Sequence, residues 1–227
     1  MDPVADEPDV AETNRTLDAA AKALAAAVAS ADVRDTVHDA VDERFDGDTE
    51  VLWSSLAADP TFDAEVAAAA GEGQAAKTAP LSAVELETAT DALPRLQVAV
   101  PENFESWDPA TYTPLVASMP EGVDDLAVET VTAYDAEGNA VTLDAQVAPE
   151  VPVIVVGLNE RTDEDGTLQS DAPVSSGAKT GGSTSLAAAA SYQVRMQLVS
   201  LKDDKEPWTK GDAEISMKAR GYDCSFV

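Results

Sequence analysis

An α+β fold is what the sequence predicts: a small helical unit over residues 13–93, followed by an antiparallel β-sandwich, Ig-like or C2-like, over residues 95–227. Three observations carry that expectation. Apolar residues recur about every four positions up to Leu93 and every two from Leu96 onward. Ser82 and Glu85 stand at capping-box spacing, flanked by Leu81 and Leu86 as a hydrophobic staple, which marks a helix start. The run Val153, Ile154, Val155, Val156 leaves no polar position, so both faces of that strand must be covered.

The elements follow in order. Residues 1–12, acidic and carrying Pro3 and Pro8, form a disordered tail. Leu17, Ala20, Ala21, Leu24 and Val28 make the stripe of a first helix. Asp32 caps a second, in which Val33, Val37, Val41 and Phe45 recur until Gly47 ends it. Thr49 opens a third helix through Val51, Leu52 and Leu56, and Thr61 caps a fourth that stops at Gly71. The fifth, capped by Ser82, closes at Pro94. Strands are expected over 96–100, 113–118, 129–134, 141–145, 151–158, 192–198 and 215–219, with a hairpin turn at 135–139. The Gly, Ser, Thr and Ala content of residues 162–190 predicts a flexible loop.

The formal charge of −29, from 43 acidic and 14 basic residues, repels phosphate, so nucleic acid and anionic membrane surfaces are poor partners. The carboxylates are spread along the whole chain, which favours a surface adapted to high salt over the alternatives of a calcium-rich setting or a basic partner. No run of 18 apolar residues is present to span a membrane, and residues 1–12 do not read as an export signal. Cys224 is the single cysteine, so no internal disulfide forms.

Catalytic constellations are poorly supplied. His38 is the only histidine and sits mid-helix, with no G-x-S-x-G elbow to pair with, and Cys224 lies at the chain end. Ser176 to Lys179 matches S-x-x-K and Lys179 to Gly181 matches K-T-G, but one lysine would have to serve both motifs. No catalytic residue is assigned. Calcium is the candidate cofactor, because it needs converging oxygens and two segments offer them: Asp163 and Asp165 after the apolar strand, and Asp203, Asp204, Glu206, Asp212 and Glu214 further on. An EF-hand is excluded, since Gly166 in its glycine position would put Arg161 and Ala172 at the terminal ligand positions. Asn159, Glu160, Arg161, Trp107 and Trp208 are the candidate interaction rim, with Glu160 and Arg161 read as a mutual ion pair and the tryptophans as plugs for the sandwich ends.

The phrases FDGDTEVL from Phe45, RLQVAVPENFESWDPATYTPLVA from Arg95, VPVIVVGLNER from Val151 and EPWTKGDAEISMKARG from Glu206 together resemble a group of uncharacterised secreted bacterial proteins, often lipoproteins, with a helical N-terminal part and a β-rich C-terminal part. The resemblance implies an extracellular or cell-envelope location and no particular activity. Proteins of that group continue past the equivalent of Gly221, so this chain reads as a short member or a truncated one. The expected function is therefore a non-enzymatic secreted or envelope protein that binds an unidentified partner through sandwich loops. The alternative is a calcium-binding module or a hydrolase with carboxylates at the end of the 151–158 strand.

Overall fold

A computed structural model describes residues 9–75, 81–124, 127–168 and 207–210. Five helices, α1 (Val10–Ala27), α2 (Ala31–Asp42), α3 (Trp53–Ala57), α4 (Pro60–Ala75) and α5 (Ala83–Asp91), accompany six strands. The strands are β1 (Glu50–Leu52), β2 (Leu96–Ala99), β3 (Leu115–Ser118), β4 (Thr130–Tyr134), β5 (Ala140–Asp144) and β6 (Val153–Leu158). They form one sheet in the order β1-β2-β6-β3-β4-β5. The α+β class is thus observed, with helices and a mixed sheet packed into a common core.

The expected antiparallel sandwich is corrected: the six described strands form one open sheet packed against helices, and its pairing is mixed. β6 runs parallel to β3, with Val116 opposite Ile154, and antiparallel to β2, with Val98 opposite Val156. Alternation in a sequence says which residues share a face; it carries no signal for strand neighbour or direction. β6 lies in the middle of the sheet and is buried on both faces. Ile154 and Val156 join the helix-side core, while Val153 and Val155 join a smaller cluster on the other face with Ala117, Met119, Val131 and Trp208.

α1 covers β3, β6 and β4, while α2 and α3 cover β1 and β2; α4 and α5 pack behind α1. The alanine stripe makes that close approach possible, since Ala20, Ala21 and Ala25 are completely buried together with Leu17, Leu24 and Val28. α5 starts as its sequence requires: Ser82 accepts a hydrogen bond from the Glu85 amide and the Glu85 carboxylate accepts one from the Ser82 amide, over buried Leu81 and Leu86. The hairpin between β4 and β5 also forms, with the Asp135 amide donating to the Asn139 carbonyl and Gly138 at φ +82°.

Two helix expectations change. Residues 50–52 form an edge strand before α3 begins, because pairing Val51 with Val98 buries it against the sheet, and that tertiary contact outweighs local propensity. α4 runs through Gly71, whose cost in a helix of about 1 kcal/mol is offset by the alanines around it. The helical segment thereby contributes a strand to the sheet, and one hydrophobic core joins residues of both halves of the chain. α1 begins at Val10, inside the stretch read as a tail. The expected strands over 192–198 and 215–219, and the expected loop beyond residue 168, lie outside the described residues, as does Cys224.

Candidate functional site

The end of β6 organises the site. Asn159 follows the strand and is completely buried. Its backbone is clamped by Arg95: the Asn159 amide donates to the Arg95 carbonyl at 2.7 Å, and the Arg95 guanidinium donates twice to the Asn159 carbonyl, at 2.9 and 2.7 Å. Its side chain is used at both ends. Oδ1 accepts from the Arg161 amide at 2.8 Å, and Nδ2 lies 3.0 Å from Asp46 Oδ2, 2.7 Å from Glu50 Oε1 and 2.7 Å from Gln97 Oε1.

These partners come from three separate elements: the loop after α2, the start of β1, and β2. Gly47 makes the loop possible at φ +117°, a conformation that costs other residues strain. Arg161 then reaches back across the loop, donating to the Asp46 carbonyl at 2.6 Å and pairing with Asp48 at 2.8 Å. Glu160 pairs with Lys210. The expected mutual pair of Glu160 and Arg161 does not form, because successive residues leaving a strand point to opposite sides.

Charge in this network is unevenly shared. Burial pushes the Glu50 carboxyl up to about 9, reinforced by its hydrogen bond to Asp46 and the charges of Asp46 and Asp48, against the pull of Arg161. Burial also acts to raise Asp46, but hydrogen bonds from Glu50, Asn159 and the Asp48 amide, together with Arg161, hold it below the usual carboxylate range. At neutral pH Glu50 is the protonated partner and Asp46 the ionised one.

Glu50 borders two neighbouring cavities that also share Asp48, Thr209 and Lys210. One, of about 260 Å³, extends toward Arg44, Asn103 and Glu105; the other, of about 290 Å³, extends over Gln97, Gly157 and Glu121. The short turn Trp208–Lys210 anchors their common wall. Trp208 donates through Nε1 to the Asp144 carbonyl at 2.8 Å, and the Thr209 hydroxyl lies 3.0 Å from Met119 Sδ.

The other expected residues are placed as follows. Trp107 is buried on the helix side, edge-on to His38, which stacks on Phe104 with ring centroids 4.8 Å apart. Trp208 is buried on the opposite face, so the fold does not bring the two tryptophans together. Asp163 shapes the turn after β6, its Oδ1 accepting from the Asp165 and Thr167 amides at 3.1 and 2.9 Å, and Asp165 is exposed. Asp203, Asp204, Glu206, Asp212 and Glu214 lie outside the described residues. Among the described residues no group of three or more His, Cys, Asp or Glu side chains is arranged to hold a metal ion, and no helix is long and apolar enough to cross a membrane.

Asp46, Glu50 and Gln97 are the site residues that sequence reasoning missed. Asp46, Asp48 and Glu50 alternate at period two, which is a strand-edge pattern and the one signal that could have set this stretch apart from a helix.

A helix-backed mixed sheet with a carboxyl-rich cleft at one end of its central strand defines the class: an α+β protein with a polar cleft. The chain belongs to the family described as protein of unknown function (DUF3103), which matches residues 21–226. Neither a curated protein nor a solved structure shows significant similarity to it.

Proposed function

We propose that this chain is a non-enzymatic secreted or cell-envelope binding module, and that the paired cavities around Glu50 receive a basic polypeptide segment. The supporting observation is the composition of the lining. Carboxyl groups from Asp48, Glu50, Glu105, Glu121 and Glu160 meet three cations, Arg44, Arg161 and Lys210. Each cation already pairs with one of those carboxylates, Arg44 with Glu105, Arg161 with Asp48 and Lys210 with Glu160. A wall held together in this way is pre-organised, and with Glu50 protonated its four carboxylates outnumber the three cations by one, which favours a cationic ligand. The test is a low-salt titration of a fluorescent Lys/Arg-rich peptide. Glu121→Lys is expected to weaken binding roughly tenfold, about 1.4 kcal/mol. Glu87→Lys, on the exposed side of α5, is expected to leave it unchanged. Equal losses in the two variants, or no binding by the parent, would sink the reading.

A second reading has its own support: a carboxyl that is protonated at neutral pH and borders a cavity has the properties of a general acid. It makes the chain a hydrolase acting through Glu50. Turnover of an ester, peptide or glycoside by the parent, abolished in a folded Glu50→Gln variant, would replace the binding reading with this one.

A further inference from the structure

The Asn159 amide carries two hydrogens, yet three oxygens surround it: Asp46 Oδ2 at 3.0 Å, Glu50 Oε1 at 2.7 Å and Gln97 Oε1 at 2.7 Å. Two of those oxygens belong to carboxyl groups that converge on this one nitrogen. Two hydrogens cannot serve three acceptors, and a proton held between the two carboxyls supplies the third bond. The proton is thus a structural part of the junction between the loop after α2, β1, β2 and the end of β6.

We propose that Asp46, Glu50 and Asn159 form a proton-operated latch that holds the edge strand β1 and its preceding loop against the sheet, and that loss of the shared proton releases them.

β1 has only three residues, at the sheet edge, and its loop contains two positive φ angles, Arg44 at 49° and Gly47 at 117°. Besides its pairing with β2 and the packing of Val51 under α2 and α3, two hydrogen bonds tie its leading edge to the sheet. Thr49 donates its hydroxyl to the Val100 carbonyl at 2.6 Å, and the Val100 amide donates to the Thr49 carbonyl at 2.9 Å. Opening would separate Glu50 and Asp48 from Gln97 and Gly157, widening the cavity those residues line.

The charges that face the latch decide its sense. Arg161, on the exit from β6, bonds the Asp46 carbonyl and Asp48 and favours the ionised form; Arg95, before β2, is engaged by the Asn159 carbonyl. Asp48 in the loop opposes ionisation, while on the cavity walls Arg44 is paired with Glu105 and Lys210 with Glu160, and Glu121 lines the same cavity as Glu50. α2, packed on β1, keeps Asp35, Asp39 and Asp42 exposed. A second negative charge beside Asp46 therefore meets one guanidinium and two carboxylates, Asp46 and Asp48, and repulsion prevails. The burial that raises the Glu50 carboxyl acts in the same direction.

The experiment is a carbon-detected NMR titration of the side-chain carboxyls in the full chain from mildly acidic to strongly alkaline pH, with hydrogen exchange at the Val100 amide as the reporter of β1 docking. The Glu50 carboxyl is expected to titrate far above the usual carboxylate range. The Val100 protection factor, corrected for intrinsic exchange, is expected to fall at least about tenfold through that titration. In Glu50→Gln the protection should not change over the same interval. A Glu50 carboxyl titrating with ordinary carboxylates, or Val100 protection unaltered through its titration, overturns the latch. The parent measurement decides this even if the variant fails to fold.

Discussion

Asn159 shows how much of this site rests on one small side chain. Its side chain offers two hydrogens to three surrounding oxygens and accepts from one backbone amide, all within 3.0 Å. Leucine is close in size but bonds to none of them. Each buried polar group left without a partner costs about 1–3 kcal/mol, so Asn159→Leu is expected to lower stability by about 3 kcal/mol or more in urea denaturation. A loss below about 1 kcal/mol would mean that water replaces the amide and that Asn159 is not the hub. Glu50 gives a second prediction at this scale, with a definite sign. Its carboxyl is raised from 4.5 to about 9 on folding, so the folded state holds the proton more tightly. That contribution is complete below the unfolded value of 4.5 and is lost as pH rises to about 9. Relative to Glu50→Gln, the parent should lose up to about 1.4 kcal/mol per pH unit across that window. Asp46, held below 3.8, acts on the acid side instead, and its contribution disappears as pH falls. Parallel stability curves for parent and variant between pH 5 and 9 would rule out the shared proton. The strand end was legible in the sequence as the place to look, because an apolar run stopping at Asn159 has to present polar groups at a core boundary. Its partners were not: Asp46, Glu50 and Gln97 are 113, 109 and 62 positions away, and periodicity encodes faces, not pairings.

Among the elements, β6 was the most legible and β1 the least. The run from Val153 to Val156 could only be a strand covered on both sides, and it occupies the middle of the sheet. What the run could not reveal was its parallel alignment with β3, since a parallel and an antiparallel neighbour ask for the same apolar residues. β1 was hidden for a different reason: three residues are too few to establish alternation, and Val51, Leu52 and Leu56 fit a helical spacing equally well. The capping box of α5 was readable because both partners lie within one turn. Position in the sheet also sets the energetic weight of each strand. Ile154 is completely buried between helices and sheet, so Ile154→Ala should cost about 2–5 kcal/mol, with a transfer and a cavity contribution. Val141 lies half-buried on the edge strand β5, and Val141→Ala should cost less than half as much. Chemical denaturation of the two variants tests the ordering. Equal losses would contradict the placement of β6 at the centre.

At the scale of the whole molecule, the net charge of −29 sets how stability responds to salt. Even if each of the 14 cations met a carboxylate, 29 carboxylates would remain without one. The ion pairs described here already include Lys22 with Asp18, Arg44 with Glu105, Arg161 with Asp48 and Lys210 with Glu160. Folding brings the excess carboxylates closer together than they are in the unfolded chain, so their repulsion opposes the compact state. Added salt shortens the range of that repulsion, from about 10 Å at 0.1 M to about 3 Å at 1 M. The part-buried pair of Lys22 and Asp18 is affected less, because partly buried charges are less exposed to counter-ions. Stability should therefore rise with salt. For a chain of this length each kcal/mol gained moves the thermal midpoint by about 2–4 °C. Sodium chloride and potassium chloride are expected to raise it alike, because screening depends on ionic strength. An uncharged osmolyte at matched osmolality separates screening from general preferential exclusion, since it should reproduce little of the rise. A midpoint that does not move between about 0.1 and 1 M salt would show that the carboxylates are already accommodated by their spacing, and the charge would then need a partner, not a saline medium, to account for it.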